Sequence, residues 1–300
     1  MKLPDQIFKQ AADNALDVIM ITAVDFDDPG NNTIVYVNDA FVELFGYSKQ
    51  EIIGQSPRVL QGPNTDPATR DKIRAALTQG LPVTSEIINY GKHGQEFWID
   101  LKMVPLFNSD NEITHFLFIE RDLSSRKNRE QQLYQEATID GLTQIYNRQH
   151  TYQLAAKAIE KASRYKSPLC ALLLDIDHFK QVNDNFGHVV GDKVLKKLAQ
   201  LITQEVRSSD IFGRVGGEEF FILLPEVPLE QAQVFAERVR ARVHAATWEE
   251  AGLSTALSIS VGVAEFDNDH LESLISKADH ALYQAKNLGR NRVESFKEAK

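Results

Sequence analysis

The chain of 300 residues is 25% charged and 43% hydrophobic, a composition typical of about two folded domains rather than of a disordered protein. Its formal net charge of −9 argues against recognition of nucleic acid through an overall basic surface. The sequence has no run of about eighteen apolar residues, and its single cysteine cannot form an internal disulfide. We therefore expect no membrane-spanning segment and a reducing, cytoplasmic location.

Residues 1–123 alternate short β-branched runs with short helical segments. Asn38 is predicted to begin a helix as its N-cap, a dense turn sequence covers 27–32, and Gly91–Gly94 predicts a hairpin. Strands are predicted over Val18–Ile21, Ile34–Val37, Ser85–Tyr90, Glu96–Met103 and His115–Glu120. The pattern indicates an antiparallel sheet with short helices.

Residues 124–138 form a polar segment rich in helix-favouring residues. Leu133 and Ala137 stand four positions apart and would lie on one helical face. Two interpretations remain open, a helix that pairs with a partner helix and a solvated helix that only connects two domains.

Residues 139–300 alternate helices and strands, which is typical of an α/β or α+β domain with a central sheet flanked by helices. Strands are predicted over Ala171–Asp175, Phe220–Leu224 and Ala256–Glu265, and helices over Gly191–Val206, Leu229–His244 and Leu271–Asn287. Residues 125–300 carry 24 acidic and 23 basic side chains, so an anionic ligand would have to be held by local groups rather than by an overall field.

Two carboxylates, Asp175 and Asp177, end an apolar strand. Residues two apart in a strand point to the same side, and neighbouring carboxylates repel unless a cation lies close to both. A hard divalent ion such as Mg²⁺ would supply that cation. The alternative is two exposed acids at a strand end.

The segment Gly216-Gly217-Glu218-Glu219-Phe220 predicts a tight turn between two strands. Paired glycines permit positive φ and a close approach of a ligand to the backbone. Glu218 and Glu219 alternate across the strand, so one can face a ligand while the other faces away.

These residues are similar to the signature of GGDEF-family diguanylate cyclases, in its GGEEF spelling, and the resemblance covers 139–300. Further motifs match in the same order: Asp140–Thr143, Asp175–Lys180, Asn183–His188, Gly191-Asp192 and Lys286–Asn291. The resemblance implies that two GTP molecules are condensed into cyclic di-GMP with release of two pyrophosphates, by attack of a ribose 3′-hydroxyl on an α-phosphate.

By the same resemblance, Asp175, the backbone carbonyl of Ile176 and Glu218 hold Mg²⁺, with Mn²⁺ as the alternative ion. Glu218 and Glu219 would be catalytic carboxylates, with Glu218 at the position given the general-base role. Lys180 would place a cation on the phosphates.

Five further positions match residues that bind the substrate. Asn183 and Asp192 match the pair that reads guanine, whose donor edge adenine lacks. His188 matches another substrate contact. Lys286 and Arg290 would lie on one helical face and suit a triphosphate, or would only supply favourable charge at a helix C-terminus.

Each GGDEF domain binds one GTP, so the resemblance implies a homodimer that brings two sites face to face. Arg207 and Asp210 form an RxxD sequence nine residues before Gly216. This pair, with Arg238 as a second contributor, resembles the inhibitory site at which the family binds cyclic di-GMP. Product inhibition is therefore expected.

Residues 12–123 resemble a PAS sensor domain. The matching segments are Val35–Phe41, Phe45–Tyr47, Glu51–Gly54 and Arg121–Ser124. Within the PAS group, Gly54–Asp66 is similar to flavin-binding light–oxygen–voltage domains. Pro57 occupies the position of their photochemical cysteine, which excludes a cysteinyl–flavin adduct, and Ile99 and Glu120 replace two amide side chains. These departures argue against a flavin and leave the ligand unidentified.

Two alternatives to a PAS-regulated cyclase are compatible with parts of this pattern. One is a GGDEF domain that only binds GTP or cyclic di-GMP as a receptor, and the other is a nucleotidyl cyclase that uses ATP or a single GTP. The cyclase is favoured because all its expected residues are present: Asp175, Lys180, Asn183, Asp192, Glu218 and Glu219.

Overall fold

A computed structural model describes residues 4–25, 32–253, 255–268 and 270–297. These residues form two compact units, which divide between Gln131 and Gln132. Within the described ranges, every helix is too short or too polar to cross a bilayer. Positions 27–31 of the turn predicted over 27–32 lie outside the described residues.

The first unit is built on a five-stranded antiparallel sheet with the strand order β2-β1-β5-β4-β3. Its strands are β1 (Val18–Ala23), β2 (Thr33–Val37), β3 (Val83–Tyr90), β4 (Glu96–Phe107) and β5 (Ile113–Asp122). Its helices are α1 (Asp5–Asp13), α2 (Asp39–Phe45), α3 (Lys49–Ile52) and α4 (Pro67–Gln79). The predicted antiparallel sheet with short helices is therefore confirmed.

Asn38 begins α2 as the sequence predicts. Its side-chain oxygen accepts a hydrogen bond from the Phe41 N–H at 3.1 Å, which satisfies one of the free donors of the first turn. The cap directs Phe41 and Phe45 into the core, where both are fully buried against the inner face of the sheet. The helix α5 (Ser124–Thr138) follows β5, and the boundary between the two units lies within it.

The second unit has a five-stranded mixed sheet with the order β10-β9-β6-β8-β7. Its strands are β6 (Leu169–Ile176), β7 (Ile211–Arg214), β8 (Glu219–Pro225), β9 (Ile259–Glu265) and β10 (Val293–Ser295). Its helices are α6 (Arg148–Tyr165), α7 (Phe179–Phe186), α8 (His188–Thr203), α9 (Leu229–Ala245) and α10 (Leu271–Asn287). Helices cover both faces of the sheet, because one core contains α8 and α9 and another contains α6 and α10.

The central strand β6 is buried along its whole length, as its unbroken apolar sequence predicts. It pairs antiparallel with β8 on one side and β9 on the other. Several predicted boundaries differ by one to three residues, and α8 runs from His188 to Thr203 rather than from Gly191 to Val206. Gly187, with φ 82°, separates α7 from α8 and lets the second helix begin at once. The ends of β6 and β8 and the α7–α8 pair then hold the candidate site.

Candidate active site

Two acidic side chains face each other where β6 ends and β8 begins. Asp175 and Glu219 are direct partners in the antiparallel pairing, so their side chains point to the same face of the sheet. Like charges in such a pair destabilise it. Lys286 of α10 offsets part of the repulsion, because its Nζ atom lies 2.8 Å from Asp175 Oδ2. Glu219 and Lys286 also line a cleft of about 350 Å³ beside α10.

The pKa values of the acidic side chains in this cluster show that Lys286 does not fully neutralise them. Burial raises the pKa of Asp175, Lys286 lowers it by hydrogen bonding and charge, and Glu219 raises it again, with a net increase. Burial raises the pKa of Glu218 as well, and repulsion from Asp175 adds to this while Lys286 opposes it. Among the described residues, Lys286 is the cation that acts on both groups. The site therefore carries an excess of negative charge that a bound cation would neutralise.

A divalent ion that prefers oxygen ligands fits this arrangement. Asp175 and Glu218 offer carboxylate oxygens, and Ile176 at the end of β6 offers a backbone carbonyl. Nowhere in the described ranges do three His, Cys, Asp or Glu side chains converge as ligands. Two carboxylates completed by backbone and substrate oxygens form a donor set of the kind that Mg²⁺ accepts. The Lys286 ammonium already occupies a cation position on Asp175.

Asp177 has a different role from the one that its spacing suggests. Its buried carboxylate accepts hydrogen bonds from Ser258 Oγ and Ser260 Oγ, both at 2.6 Å, and from the Asn291 N–H at 3.0 Å. Because three donors from the chain satisfy it, Asp177 needs no cation. The structure thus corrects the prediction that one ion joins Asp175 and Asp177, since Asp177 ties β6 to β9 and to the segment after α10.

The glycine pair lies in the turn that connects β7 to β8, as the sequence predicts. Neither Gly216 nor Gly217 has a φ in the left-handed region, so this turn does not use the positive φ that glycine permits. A Cβ at position 216 would lie 2.3 Å from Glu219 Oε2, so a side chain there would displace this carboxylate. A Cβ at position 217 would meet nothing within 4 Å, which leaves open space over the turn.

Arg214 stabilises this turn by hydrogen bonds, a role that the sequence did not predict. Its Nε and Nη2 atoms donate to the Gly217 carbonyl at 3.2 and 2.6 Å, and Nη1 donates to Asp140 Oδ1 at 3.2 Å. Asp140 also accepts from the N–H and hydroxyl of Thr143. Although burial acts in the opposite direction, Thr143 and Arg214 lower the pKa of Asp140. The Asp140–Thr143 motif points to the importance of Asp140, but it does not show that Arg214 is the partner of this carboxylate.

The predicted guanine-reading residues lie next to each other on α7 and α8. A Cβ on Gly191 would lie 2.0 Å from Asn183 Oδ1, so the Asn183 amide packs on the α8 backbone beside Asp192. His188 and Asp192 stand one helical turn apart and are exposed, as is Lys180 in the first turn of α7. Within the described parts of the chain, no hydrogen bond links these side chains to Asp175 or to the Gly-Gly turn, so a ligand would have to bridge the two groups.

Lys286 and Arg290 do not share a helical face. The helix α10 ends at Asn287, and Gly289 and Arg290 have φ angles of 115° and 64°. Because the backbone leaves the helix between the two cations, the i,i+4 relationship predicted for them is wrong. Lys286 reaches Asp175, whereas the Arg290 side chain is exposed to solvent.

A second cavity in this unit brings together Arg207, Asp210 and Arg238. It has a volume of about 340 Å³ and is bounded by α9 and the segment before β7. Asp210 accepts from the Arg207 N–H at 2.8 Å, which closes the turn between them. The Arg238 guanidinium lies 5.1 Å from the ring centroid of Phe235 and donates to Glu205 at 2.7 Å. Two guanidinium groups and two carboxylates, those of Asp210 and Glu230, thus line one cavity.

Residues 137–292 match the family model described as "Diguanylate cyclase, GGDEF domain", which covers just over half of the chain. Residues 17–125 match a model described as "PAS domain". Both segments correspond to the resemblances found in the sequence.

Among curated proteins, diguanylate cyclase DosC of Escherichia coli (strain K12) is 39% identical over 200 residues, which cover 66% of this chain and 42% of DosC. Diguanylate cyclase DgcP of Pseudomonas aeruginosa is 39% identical over 161 residues, which cover 53% of this chain and 24% of DgcP. The chain therefore spans less than half the length of these relatives.

Among solved structures, the coiled coil and GGDEF domain of DgcB from Caulobacter crescentus, in complex with cyclic di-GMP, superposes with a TM-score of 0.54 at 31% identity. That similarity covers 58% of this chain and 93% of the DgcB chain. The diguanylate cyclase SiaD from Pseudomonas aeruginosa, in complex with its activator SiaC, gives a TM-score of 0.51 at 33% identity and covers 57% of this chain and 67% of the SiaD chain.

Proposed function

Because this chain belongs to the GGDEF family of diguanylate cyclases, we propose that it condenses two GTP molecules into cyclic di-GMP and two pyrophosphates. The observation that carries the proposal is the cross-strand pair of Asp175 and Glu219 beside an open Gly-Gly turn. Glu218 lies close enough for its charge to interact with both carboxylates, and Lys286 is bonded to Asp175. Such a cluster is suited to a cation and to the phosphates that accompany it. The PAS domain is the proposed regulator.

Asp175, Glu218 and the Ile176 carbonyl are the proposed ligands of Mg²⁺ or Mn²⁺. When bound, such an ion neutralises charge on the phosphates as pyrophosphate leaves. The protein keeps these ligands assembled, since Arg214 fixes the turn and Lys286 reduces the repulsion around Asp175. Glu218 and Glu219 are the proposed catalytic carboxylates, with Glu218 in the role of general base.

The α7–α8 pair is the proposed guanine site. Asp192 would accept hydrogen bonds from the N1–H and N2–H₂ groups of guanine, and Asn183 would add a further polar contact. Adenine lacks this pair of donors and would leave Asp192 unpaired, which is costly. Lys180, His188, Lys286 and Arg290 are the proposed contacts of the remaining substrate atoms.

A homodimer is proposed because one such site holds one GTP and the reaction needs two. Two copies related by a twofold axis would place each 3′-hydroxyl near the other α-phosphate, so that proximity supplies much of the rate. Leu133 and Tyr134 on α5 support this proposal, because both side chains are more than half exposed and offer apolar surface to a second copy.

Product inhibition is proposed at the cavity of Arg207, Asp210 and Arg238. Guanidinium groups bind phosphate and stack on purines, and a carboxylate pairs with the guanine donor edge. The cavity of about 340 Å³ offers these groups together, away from the carboxylate cluster.

Product analysis tests the proposed activity. The full chain is incubated with Mg²⁺ and GTP, and the products are separated by chromatography. We expect cyclic di-GMP and pyrophosphate in a ratio of about one to two, no cyclic product from ATP, and a loss of about 100-fold or more in Glu218→Gln. The control Glu226→Gln changes an exposed acid at the end of β8 and should keep the rate. GTP binding without product, or a fully active Glu218→Gln variant, would overturn the proposal.

A further inference from the structure

The chain after α10 adopts an unusual backbone conformation over three successive residues. Gly289, Arg290 and Asn291 have φ angles of 115°, 64° and 45°. Glycine adopts such angles freely and asparagine tolerates them, but arginine rarely adopts them. Residues in this conformation persist only where the surrounding structure holds them, and they cluster at functional sites. The segment Gly289–Asn291 therefore depends on contacts that fix its backbone.

Two side chains from different elements hold Asn291. Asp177, which follows β6, accepts a hydrogen bond from the Asn291 N–H at 3.0 Å, and Ser258 and Ser260 in turn donate to this carboxylate. Arg240 of α9 donates from Nη1 to Asn291 Oδ1 at 2.5 Å. Asn291 is thus bonded through its backbone to Asp177 and through its side chain to Arg240.

Arg240 is itself fixed in place. Its side chain is only 16% exposed, and its Nε and Nη2 atoms donate to Glu237, one helical turn earlier, at 2.9 and 2.6 Å. Because a guanidinium group is planar, the two bonds to Glu237 also set the direction of Nη1, which points to Asn291. Arg240 therefore acts as a rigid support for Asn291 rather than as a mobile surface arginine.

The supported segment lies against the strand end of the candidate active site. Asp177 stands two residues after Asp175, and Lys286 of α10 is bonded to Asp175 at 2.8 Å. The end of α10 and the residues after it are thus attached to this strand end at two points, by Lys286 and by Asn291. Arg290 lies between these two points in the chain and is exposed, so its guanidinium group can reach a ligand at the strand end.

We propose that Arg240 and Asp177 are positioning residues for the triphosphate, because they hold the left-handed backbone that presents Arg290 to the β- and γ-phosphates. These two phosphates carry most of the negative charge of GTP, and a guanidinium group binds them by charge-assisted hydrogen bonds. The inference rests on the proposed GTP site and extends it to α9, which contributes no residue to that site. Without Arg240, the Asn291 side chain loses its support, and Arg290 is no longer held in its rare conformation.

Binding of two nucleotides to the full chain tests the proposal. A non-reactive GTP analogue and GMP, which lacks the β- and γ-phosphates, are each titrated with Mg²⁺ present and followed by calorimetry. Arg240→Met should weaken binding of the analogue about tenfold and binding of GMP less than about twofold, because methionine keeps the side-chain bulk but donates no hydrogen bond. A purely structural role would affect both nucleotides alike. The control Arg164→Met removes an exposed arginine of α6 and should leave both affinities unchanged.

Two further variants test whether Arg240 acts through Asn291 and Arg290. Asn291→Gly adopts the positive φ without strain but offers no acceptor, so it should weaken binding of the analogue about as much as Arg240→Met. In Arg290→Met, which lacks the phosphate contact itself, adding Arg240→Met should cause no further loss. Asp177 stays unchanged in these variants, because its replacement would leave three donors unpaired.

The proposal is overturned if Arg240→Met binds the analogue as wild type does, if it weakens the analogue and GMP equally, or if its effect adds to that of Arg290→Met. A wild-type protein that binds GMP as tightly as the analogue would also overturn it. Failure of the cyclase proposal is a separate result, since it would appear as the absence of cyclic product and would leave these binding ratios unchanged.

Discussion

At the scale of single residues, replacing Lys286 should change the stability of the metal-free protein more than that of the metal-bound protein. Lys286→Met leaves Asp175 beside Glu218 and Glu219 without its cation, so we expect a loss of stability of about 1–2 kcal/mol in the absence of divalent ions. Mg²⁺ should then raise the melting temperature more than in wild type, because the ammonium no longer competes for Asp175. Thermal unfolding with and without Mg²⁺ measures both effects.

Lys157→Met provides the control for Lys286→Met, because it removes the same charge from an exposed position on α6. Equal responses of the two variants to Mg²⁺ would show that Lys286 does not occupy a cation position.

Glu120 should make the stability of the first unit depend on pH. Its folded-state pKa of about 7 lies above the ordinary value of 4.5, so the folded state holds the proton more tightly than the unfolded state. The contribution of this group to the free energy of unfolding is therefore largest below about pH 4.5. It is lost as the pH rises through about 7, and the loss amounts to up to about 3 kcal/mol. Hydrogen exchange of the β1 and β5 amides across this range measures the change, and Glu120→Gln should remove it. Parallel profiles for the two proteins would contradict it.

At the scale of structural elements, the turn between β7 and β8 depends on Arg214. Arg214→Ala removes the donors to Gly217 and Asp140, so the turn should move while the strands persist. We expect kcat to fall about 10- to 100-fold with a smaller change in KM, because the carboxylates are misplaced rather than removed. Steady-state kinetics with circular dichroism measure both. Arg214→Lys should restore little of the lost activity, since a lysine ammonium cannot reproduce the planar set of hydrogen bonds to Gly217 and Asp140.

The sequence predicts the buried strands and the exposed helix α5 but does not predict the exposed helix α4. The stretches Ala171–Asp175 and Phe220–Leu224 lie within β6 and β8, because short unbroken apolar runs suit a strand covered on both faces. The helix α4 was not predicted, since none of its residues is fully buried and it has no clear apolar stripe. Its N-terminal signal was present, because Asp66 caps the Thr69 N–H before a proline at the first position.

In the candidate site, the sequence predicts the features that neighbouring residues determine but not the contacts between residues far apart in the chain. Motifs place Asp175 at a strand end and Glu218 in a turn, and both positions hold in the structure. The bond between Arg214 and Asp140 joins residues 74 positions apart, and no local pattern encodes it. Likewise, helical spacing failed for Arg290 because left-handed backbone after α10 redirects the chain.

At the scale of the whole molecule, activity should depend on protein concentration. If two subunits each present one GTP, dilution below the dissociation constant of the dimer should lower the rate per subunit in proportion to concentration. Leu133→Glu should shift this dependence to higher concentration, because it places a charge in the exposed apolar patch of α5. Sedimentation and rates measured on the same samples test this, with Gln131→Glu as the control. A concentration-independent rate would exclude the dimer requirement.

Cyclic di-GMP should inhibit the enzyme from outside the substrate site. We expect added product to lower the maximal rate without raising KM for GTP, and Arg207→Ala to weaken this inhibition about tenfold or more while the basal rate is kept. Arg164→Ala, on the exposed surface of α6, should leave the inhibition unchanged. Purely competitive inhibition would show that the cavity lined by Arg207 is not the inhibitory site.

Crystals of the full chain grown with Mn²⁺ and a non-reactive GTP analogue would test the carboxylate cluster most directly, through the anomalous signal of manganese. We expect a peak about 2.0–2.2 Å from oxygens of Asp175, Glu218 and the Ile176 carbonyl, with the guanine against Asn183 and Asp192. Carboxylates turned away from each other, with no peak beside Asp175 and the nucleotide elsewhere, would contradict the proposed function.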